Sequence, residues 1–243
     1  FVTGSANAFN QILEKNHDKL MDRTSQRPLP LGKLSSFQAI IFAIFIGVFG
    51  LFVLFHVSPG GYKSCLFALL SVLLYVLVYT PLKRISPIAI FVGAFPGAIP
   101  VLLGWVAATN DFGLAAGILF AVQFCWQFPH FMAIAWIYRD QYKQAGMKMW
   151  TVVDPSGRRA GVEAVVGALI LLPISFVPLW FVPDSHAQLL LVFVMGMIQL
   201  SFAIRFCFSR NERSARQLLR MSLIYLPIYL LTLVTLPIGS FAW

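Results

Sequence analysis

An all-α, polytopic membrane helix bundle is predicted by three features of the sequence: 59% of its 243 residues are hydrophobic and 11% charged, apolar runs of spanning length recur, and basic residues alternate from loop to loop. A hydrocarbon core about 30 Å thick needs roughly 20 apolar residues per helix. Seven such runs lie at 35–56, 65–80, 88–109, 112–138, 160–182, 187–208 and 220–236. Of the 18 Lys and Arg residues, five lie in 15–33, two are Lys83 and Arg84, five lie in 139–159 and five in 205–220. Only Lys63 falls on the opposite side, so the four basic segments are predicted to face the cytoplasm or the mitochondrial matrix, and Trp243 the outside.

Residues 1–13 are too short to cross and are expected to be the second half of a helix cut at its start, in a single transmembrane domain covering 1–243. The net charge of +9 is read as a topology signal with some attraction to anionic membrane lipid, and no nucleic acid is needed to explain it. Cys65, Cys125 and Cys207 show no metal or disulfide spacing and are expected to be small buried hydrophobes.

The chemistry begins in NQILEKNHDKLMDRTSQRP, residues 10–28. Asn10, Glu14, Asp18 and Asp22 are four apart, so on a helix each is rotated only about 40° from the last and all share a face. Such a row can be a solvated helix end. Beside a membrane and followed by Arg23 and Arg27, it reads as oxygen ligands for Mg²⁺ with guanidinium forks for phosphate. The helix is predicted to run to about Ser25, where Pro28 and Pro30 stop it.

The run 35–56 carries Phe and Ile all round and suits a lipid-facing helix. After the turn SPGG at 58–61, the next run returns to YTPLKRISP, where Lys83 and Arg84 mark the basic side and stand on the same side as the acidic row. In 88–109, GAFPGAIP combines small residues for close packing with two prolines whose freed carbonyls must find donors inside the protein.

The run 112–138 is polar in its later half. His130 lies ten residues before Asp140, about 15 Å along a helix, which places an ionisable group inside the hydrocarbon as a candidate functional site. Gln123, Trp126, Gln127 and Pro129 are its expected cavity wall. Asp140, with Arg139, Lys143 and Lys148, makes a second acid–base cluster, expected to face the first across one cavity. Metal-linked diphosphate binding then makes sense, because a departing diphosphate needs its negative charge neutralised. Asp154, Arg158 and Arg159 read as a turn with basic anchors, 209–217 as a charged loop, and Pro173, Pro178, Pro227 and Pro237 as helix bends or ends.

The stretches NQILEKNHDKLMDRTSQRPL, YTPLKRIS, GAIPVLLGW and WQFPHFMAIAWIYRDQYKQAG, together covering about residues 5–159, resemble the UbiA superfamily of intramembrane prenyltransferases. WQFPHF resembles more closely the branch that farnesylates haem. That resemblance implies a nine-helix bundle whose first helix and half the second are absent here. It implies transfer of a farnesyl group from farnesyl diphosphate to a vinyl group of protohaem IX with Mg²⁺, giving haem O and diphosphate.

On the same resemblance Asn10, Glu14 and Asp18 are the first metal motif and Asp140 the second, with Asp18, Asp140 and His130 as catalytic residues. Arg23, Arg27, Lys83, Arg84 and Arg139 are implied diphosphate contacts, and Trp126 and His130 line the haem or prenyl cavity. Also implied are a bacterial or mitochondrial inner membrane, an active site on its cytoplasmic or matrix side, and haem A synthase or oxidase assembly proteins as partners. Gln141-Tyr142 stands where the branch has Asp-Tyr, which leaves the second metal ligand open. Two alternatives stand beside this reading. One is the same chemistry on a quinone precursor, which WQFPHF opposes. The other is a carrier of anions, which a row of cation-suited oxygens opposes.

Overall fold

Without water to satisfy backbone groups, a bilayer admits helices or closed barrels. The chain uses helices: the computed structural model describes residues 1–180 and 182–236, and no strand occurs among them. Pro237 and Trp243 lie outside the described residues. Helix α1 is Val2–Asp18 and α2 the single turn Asp22–Ser25. The spans that follow are α3, Ser36–Val57; α4, Gly61–Leu82; α5, Ala89–Thr109; and α6, Leu114–Ile137. Two short helices, α7 (Arg139–Gln144) and α8 (Trp150–Val153), precede the spans α9, Arg158–Trp180; α10, His186–Ser209; and α11, Glu212–Val234.

All seven predicted crossings are present, and the chain is an integral membrane protein. The largest shift in a boundary is at α11, which begins at Glu212 rather than at 220. The stretch expected to be a charged loop is therefore mostly helix. Asn211 caps it by accepting from Ser214 N at 2.8 Å, and Glu212 pairs with Arg216 one turn on at 2.6 Å. Local capping and an i,i+4 pair are enough to extend a helix that packing already holds.

The chain divides into two compact units, the first comprising Phe1–Asp111 with Arg139–Val153, the second Phe112–Tyr138 with the residues from Asp154 on. In the first unit α1 lies along α3, where Ser5 Oγ donates to the Ala43 carbonyl at 2.7 Å across a seam of Ala39, Ala43, Gly47 and Gly50. The other face of α3, with Phe37, Ile41, Phe45, Phe52 and Phe55, is exposed as a lipid-facing helix requires. Pro100 has no N–H to give the Pro96 carbonyl, and Ser71 Oγ of α4 supplies the missing donor at 3.1 Å. A buried carbonyl left unpaired there would cost about 1–3 kcal/mol.

A π-helical stretch over Leu74–Tyr79 precedes Pro81 in α4, and Thr80 Oγ1 donates to the Tyr75 carbonyl at 2.8 Å. This widened turn fixes where Tyr79, Thr80 and Lys83 point.

In the second unit α6 packs against α9 and α11, and α9 against α10. Its core joins Val122, Trp126, Leu171, Leu179, Tyr225 and Tyr229. Gly167 lets α9 approach the proline turn of α6, since a Cβ there would lie 2.6 Å from Phe128 Cβ. Of the three cysteines only Cys125 is buried; Cys65 and Cys207 are half-buried, and all three are free thiols.

The basic-loop count predicts which ends share a side. In a background with the native cysteines replaced, a cysteine at exposed Ser156 or Arg213 is expected to react with an impermeant thiol reagent only from the cytoplasmic side, and one at exposed Ala187 only from outside. The reverse pattern at any two sites overturns the assigned orientation.

Candidate active site

The polar row of α1 is buried: Asn10 is 7% exposed, Glu14 4% and Asp18 1%. Buried carboxylates need partners, and both have them. Glu14 Oε1 lies 2.6 Å from Lys83 Nζ, and Asp18 Oδ2 lies 2.9 Å from Arg27 Nη1. Asn10 Nδ2 donates to Glu14 Oε2 at 2.9 Å and to Thr80 Oγ1 at 3.1 Å, linking the row to α4. Lys83 Nζ sits 4.9 Å from the centre of the Tyr79 ring. That ring is itself admitted by Gly93, where a Cβ would fall 2.5 Å from two of its atoms. Burial pulls the Lys83 pKa down; the neighbouring Glu14 and Asp18 oppose this in part, and the net shift is below the usual lysine range.

Two expectations change here. Helix α1 ends at Asp18, not near Ser25, so Asp22 leaves the row and is exposed at the start of α2. The break has a physical cause. Thr24 Oγ1 donates to the free Asp18 carbonyl at 2.9 Å, Met21 turns inward to 2% exposure, and Arg27 reaches back to Asp18. The second change concerns the pairing of the two clusters. They do meet within the first unit, but through Gln141 Nε2 donating to Asp22 Oδ2 at 3.4 Å and through Lys148 N donating to the Lys83 carbonyl at 2.7 Å. Asp140 has a side chain 80% exposed, with Arg139 at 3.8 Å.

Among the described residues no three Asp, Glu, His or Cys side chains stand close enough to hold a metal ion by themselves. The donor set still fits Mg²⁺, because Mg²⁺ takes one or two carboxylates and draws the rest of its shell from water and substrate phosphate. Arg23 is exposed, and Arg84 is half-buried and forms no ion pair among the described residues.

In the second unit His130 is half-buried and its Nδ1 lies 2.9 Å from Ser222 Oγ of α11. Its ring stacks on Trp126 at 4.6 Å, and Trp126 Nε1 donates to the Ser222 carbonyl at 2.8 Å. Gln127 turns back on its own helix, donating to the Gln123 carbonyl at 3.2 Å. Thr24, Tyr79, Thr80 and Ser222 were not singled out by sequence. YTPLKR contains two of them beside the lysine it flagged, whereas nothing around Ser222 gives a signal.

Acid–base pairs beside the end of a span in the first unit, and a histidine held within a span in the second, define a polytopic membrane protein with polar side chains set among apolar helices. The chain belongs to the UbiA prenyltransferase family, which matches residues 1–226, and it is therefore a prenyltransferase. Among its relatives, a protoheme IX farnesyltransferase of Flavobacterium psychrophilum is 40% identical over 237 residues, covering 93% of this chain and 76% of that one. The mitochondrial protoheme IX farnesyltransferase of Arabidopsis thaliana is 36% identical over 236 residues, covering 94% of this chain and 53% of that one. A solved digeranylgeranylglyceryl phosphate synthase superposes with a TM-score of 0.77 at 19% identity, over all of this chain and 83% of that one. A UbiA homologue from Aeropyrum pernix K1 gives 0.65 at 16% identity, over 95% and 84%. These two share the fold.

Proposed function

We propose that the chain transfers the farnesyl group of farnesyl diphosphate to a vinyl group of protohaem IX, giving haem O and diphosphate with uptake of water. Identity of 36–40% to protoheme IX farnesyltransferases over most of the chain supports this acceptor. The observation that carries the chemistry is the two ion pairs that hold buried carboxylates, Glu14–Lys83 and Asp18–Arg27, at one end of α1.

Each pair holds an anion-binding base against a carboxylate and keeps both in place before substrate arrives. Lys83 and Arg27, aided by Arg23, Arg84 and Arg139, would bind the diphosphate oxygens, and Glu14 and Asp18 would hold Mg²⁺. Asn10 joins them, and Asp140 is the acid offered by the second segment. When bound, Mg²⁺ supplies charge neutralisation to the leaving diphosphate. Asn10, held to Thr80, keeps Glu14 in one rotamer, so the donors need little reorganisation as C1 of the farnesyl chain separates from oxygen. The isoprenoid tail lies among apolar helices, which exclude water from the allylic cation. Trp126 and His130 bind the haem. The site lies on the cytoplasmic face of a bacterial inner membrane, or the matrix face of a mitochondrial one.

The test is to incubate the purified protein with Mg²⁺, farnesyl diphosphate and protohaem, and to read the mass of the extracted haem. A farnesylated haem is expected only when both substrates are present. Consumption of farnesyl diphosphate with a quinone precursor, and none with protohaem, overturns the acceptor.

A further inference from the structure

Two polar groups one turn apart on α6 converge on a single residue of α11. Trp126 Nε1 meets the Ser222 backbone and His130 Nδ1 the Ser222 side chain, while the two rings stack with 22° between their planes. The direction of the His130–Ser222 bond follows from the other bond that the serine makes. A hydroxyl has one hydrogen, and Ser222 Oγ gives it to the Leu219 carbonyl at 2.7 Å. Ser222 Oγ is therefore the acceptor, Nδ1 carries the hydrogen, and the neutral ring keeps its lone pair on Nε2. Among the described residues the ring's hydrogen bond is made at Nδ1, to Ser222, and none is made at Nε2.

The ring is thus oriented on three sides, by Ser222, by Trp126 below it and by Phe131 at 5.5 Å edge-on, while its basic nitrogen is left unused. A histidine whose Nδ1–H is bound to an oxygen and whose Nε2 is unpartnered is the arrangement in which proteins present imidazole to a metal. Packing alone does not need it, since an apolar ring would stack on Trp126 without the bond to Ser222.

We propose that Ser222 is a positioning residue that fixes His130 as an Nε2 lone-pair donor to the iron of the protohaem substrate. The inference rests on the reading of haem as acceptor. Ser222 touches no reacting atom. It acts through the tautomer and the orientation of His130.

The experiment titrates ferric protohaem into the protein in detergent and follows the Soret band and the iron EPR signal for wild type, Ser222→Ala, Ser222→Thr and His130→Gly. Binding of a non-reactive farnesyl diphosphate analogue is measured on the same samples as a check on folding. Ser222→Ala is expected to weaken haem binding by about tenfold or more and to shift the iron signal, the usual scale for removing the partner of a metal-bound histidine. Ser222→Thr keeps the hydroxyl and is expected to behave as wild type. His130→Gly is expected to lose the ligated spectrum and to regain it with added imidazole.

Wild-type affinity and spectrum in Ser222→Ala overturn the proposal, and so does an iron spectrum indifferent to His130→Gly. Product formation by the wild type separates the two levels. If farnesylated haem forms while the iron signal ignores both residues, only the positioning role falls. If protohaem neither binds nor reacts, the acceptor reading falls and takes the proposal with it.

Discussion

Asp18→Asn is expected to lower the turnover of farnesyl diphosphate by about 10²–10³-fold, the scale for removing one preorganised electrostatic group from a transition state. The substitution keeps the side-chain shape, and the amide oxygen can still accept from Arg27 at the place where Oδ2 now does, 2.9 Å away. Arg27 is 35% exposed, so it does not become a stranded buried charge. The fold is therefore expected to survive, with insertion and analogue binding close to wild type in the absence of Mg²⁺. What is lost is the negative charge that Mg²⁺ requires. Turnover is measured with Mg²⁺ in excess, and near-wild-type rates would remove Asp18 from the metal assignment.

The same assay on Asp22→Asn separates the structure from the sequence pattern. By spacing alone Asp22 is the fourth member of the row. It lies beyond the end of α1, exposed and within reach of Gln141, so little change in turnover is expected.

The contrast shows what was legible and why. Hydropathy located the seven spans among the described residues because the bilayer sets their length, and apolar runs of about 20 residues suit a helix rather than a barrel strand of about ten. The charges predict an orientation because they cluster at alternate ends of the spans. The i,i+4 spacing of Asn10, Glu14 and Asp18 was legible because a helix puts such residues on one face whatever they touch.

Where the helix stops was not legible, since that depends on Thr24 reaching the Asp18 carbonyl and on Met21 finding an interior place. Nor was the partnership of Asn10 with Thr80, 70 residues away, or of His130 with Ser222, 92 residues away. These are tertiary contacts between short polar side chains that leave no periodicity. Asp140 shows the opposite case, a residue flagged by resemblance whose own surroundings are open and which meets the rest of the site through its neighbour Gln141.

Lys83→Met is expected to destabilise the protein by about 3–5 kcal/mol, more than the loss of an attractive pair would suggest, because it strands a buried carboxylate. Glu14 is 4% exposed and its second oxygen is already bound to Asn10, so without Lys83 the charge has neither water nor a counter-ion at Oε1. Glu14→Gln in the same chain removes that charge while the amide oxygen can still accept from Asn10. The double variant Glu14→Gln/Lys83→Met is therefore expected to be more stable than Lys83→Met alone, although it too is inactive because the diphosphate base is missing. Denaturant unfolding in mixed micelles, run on wild type, both single variants and the double, gives the coupling energy directly. Costs that simply add would show that Glu14 and Lys83 act independently, and the ion pair would then cease to explain how α1 and α4 hold the site together. A large coupling with full stability recovered in the double variant places the cost in the stranded charge. It would mean that this pair is kept for binding diphosphate, since an apolar pair could hold the same helices together without it.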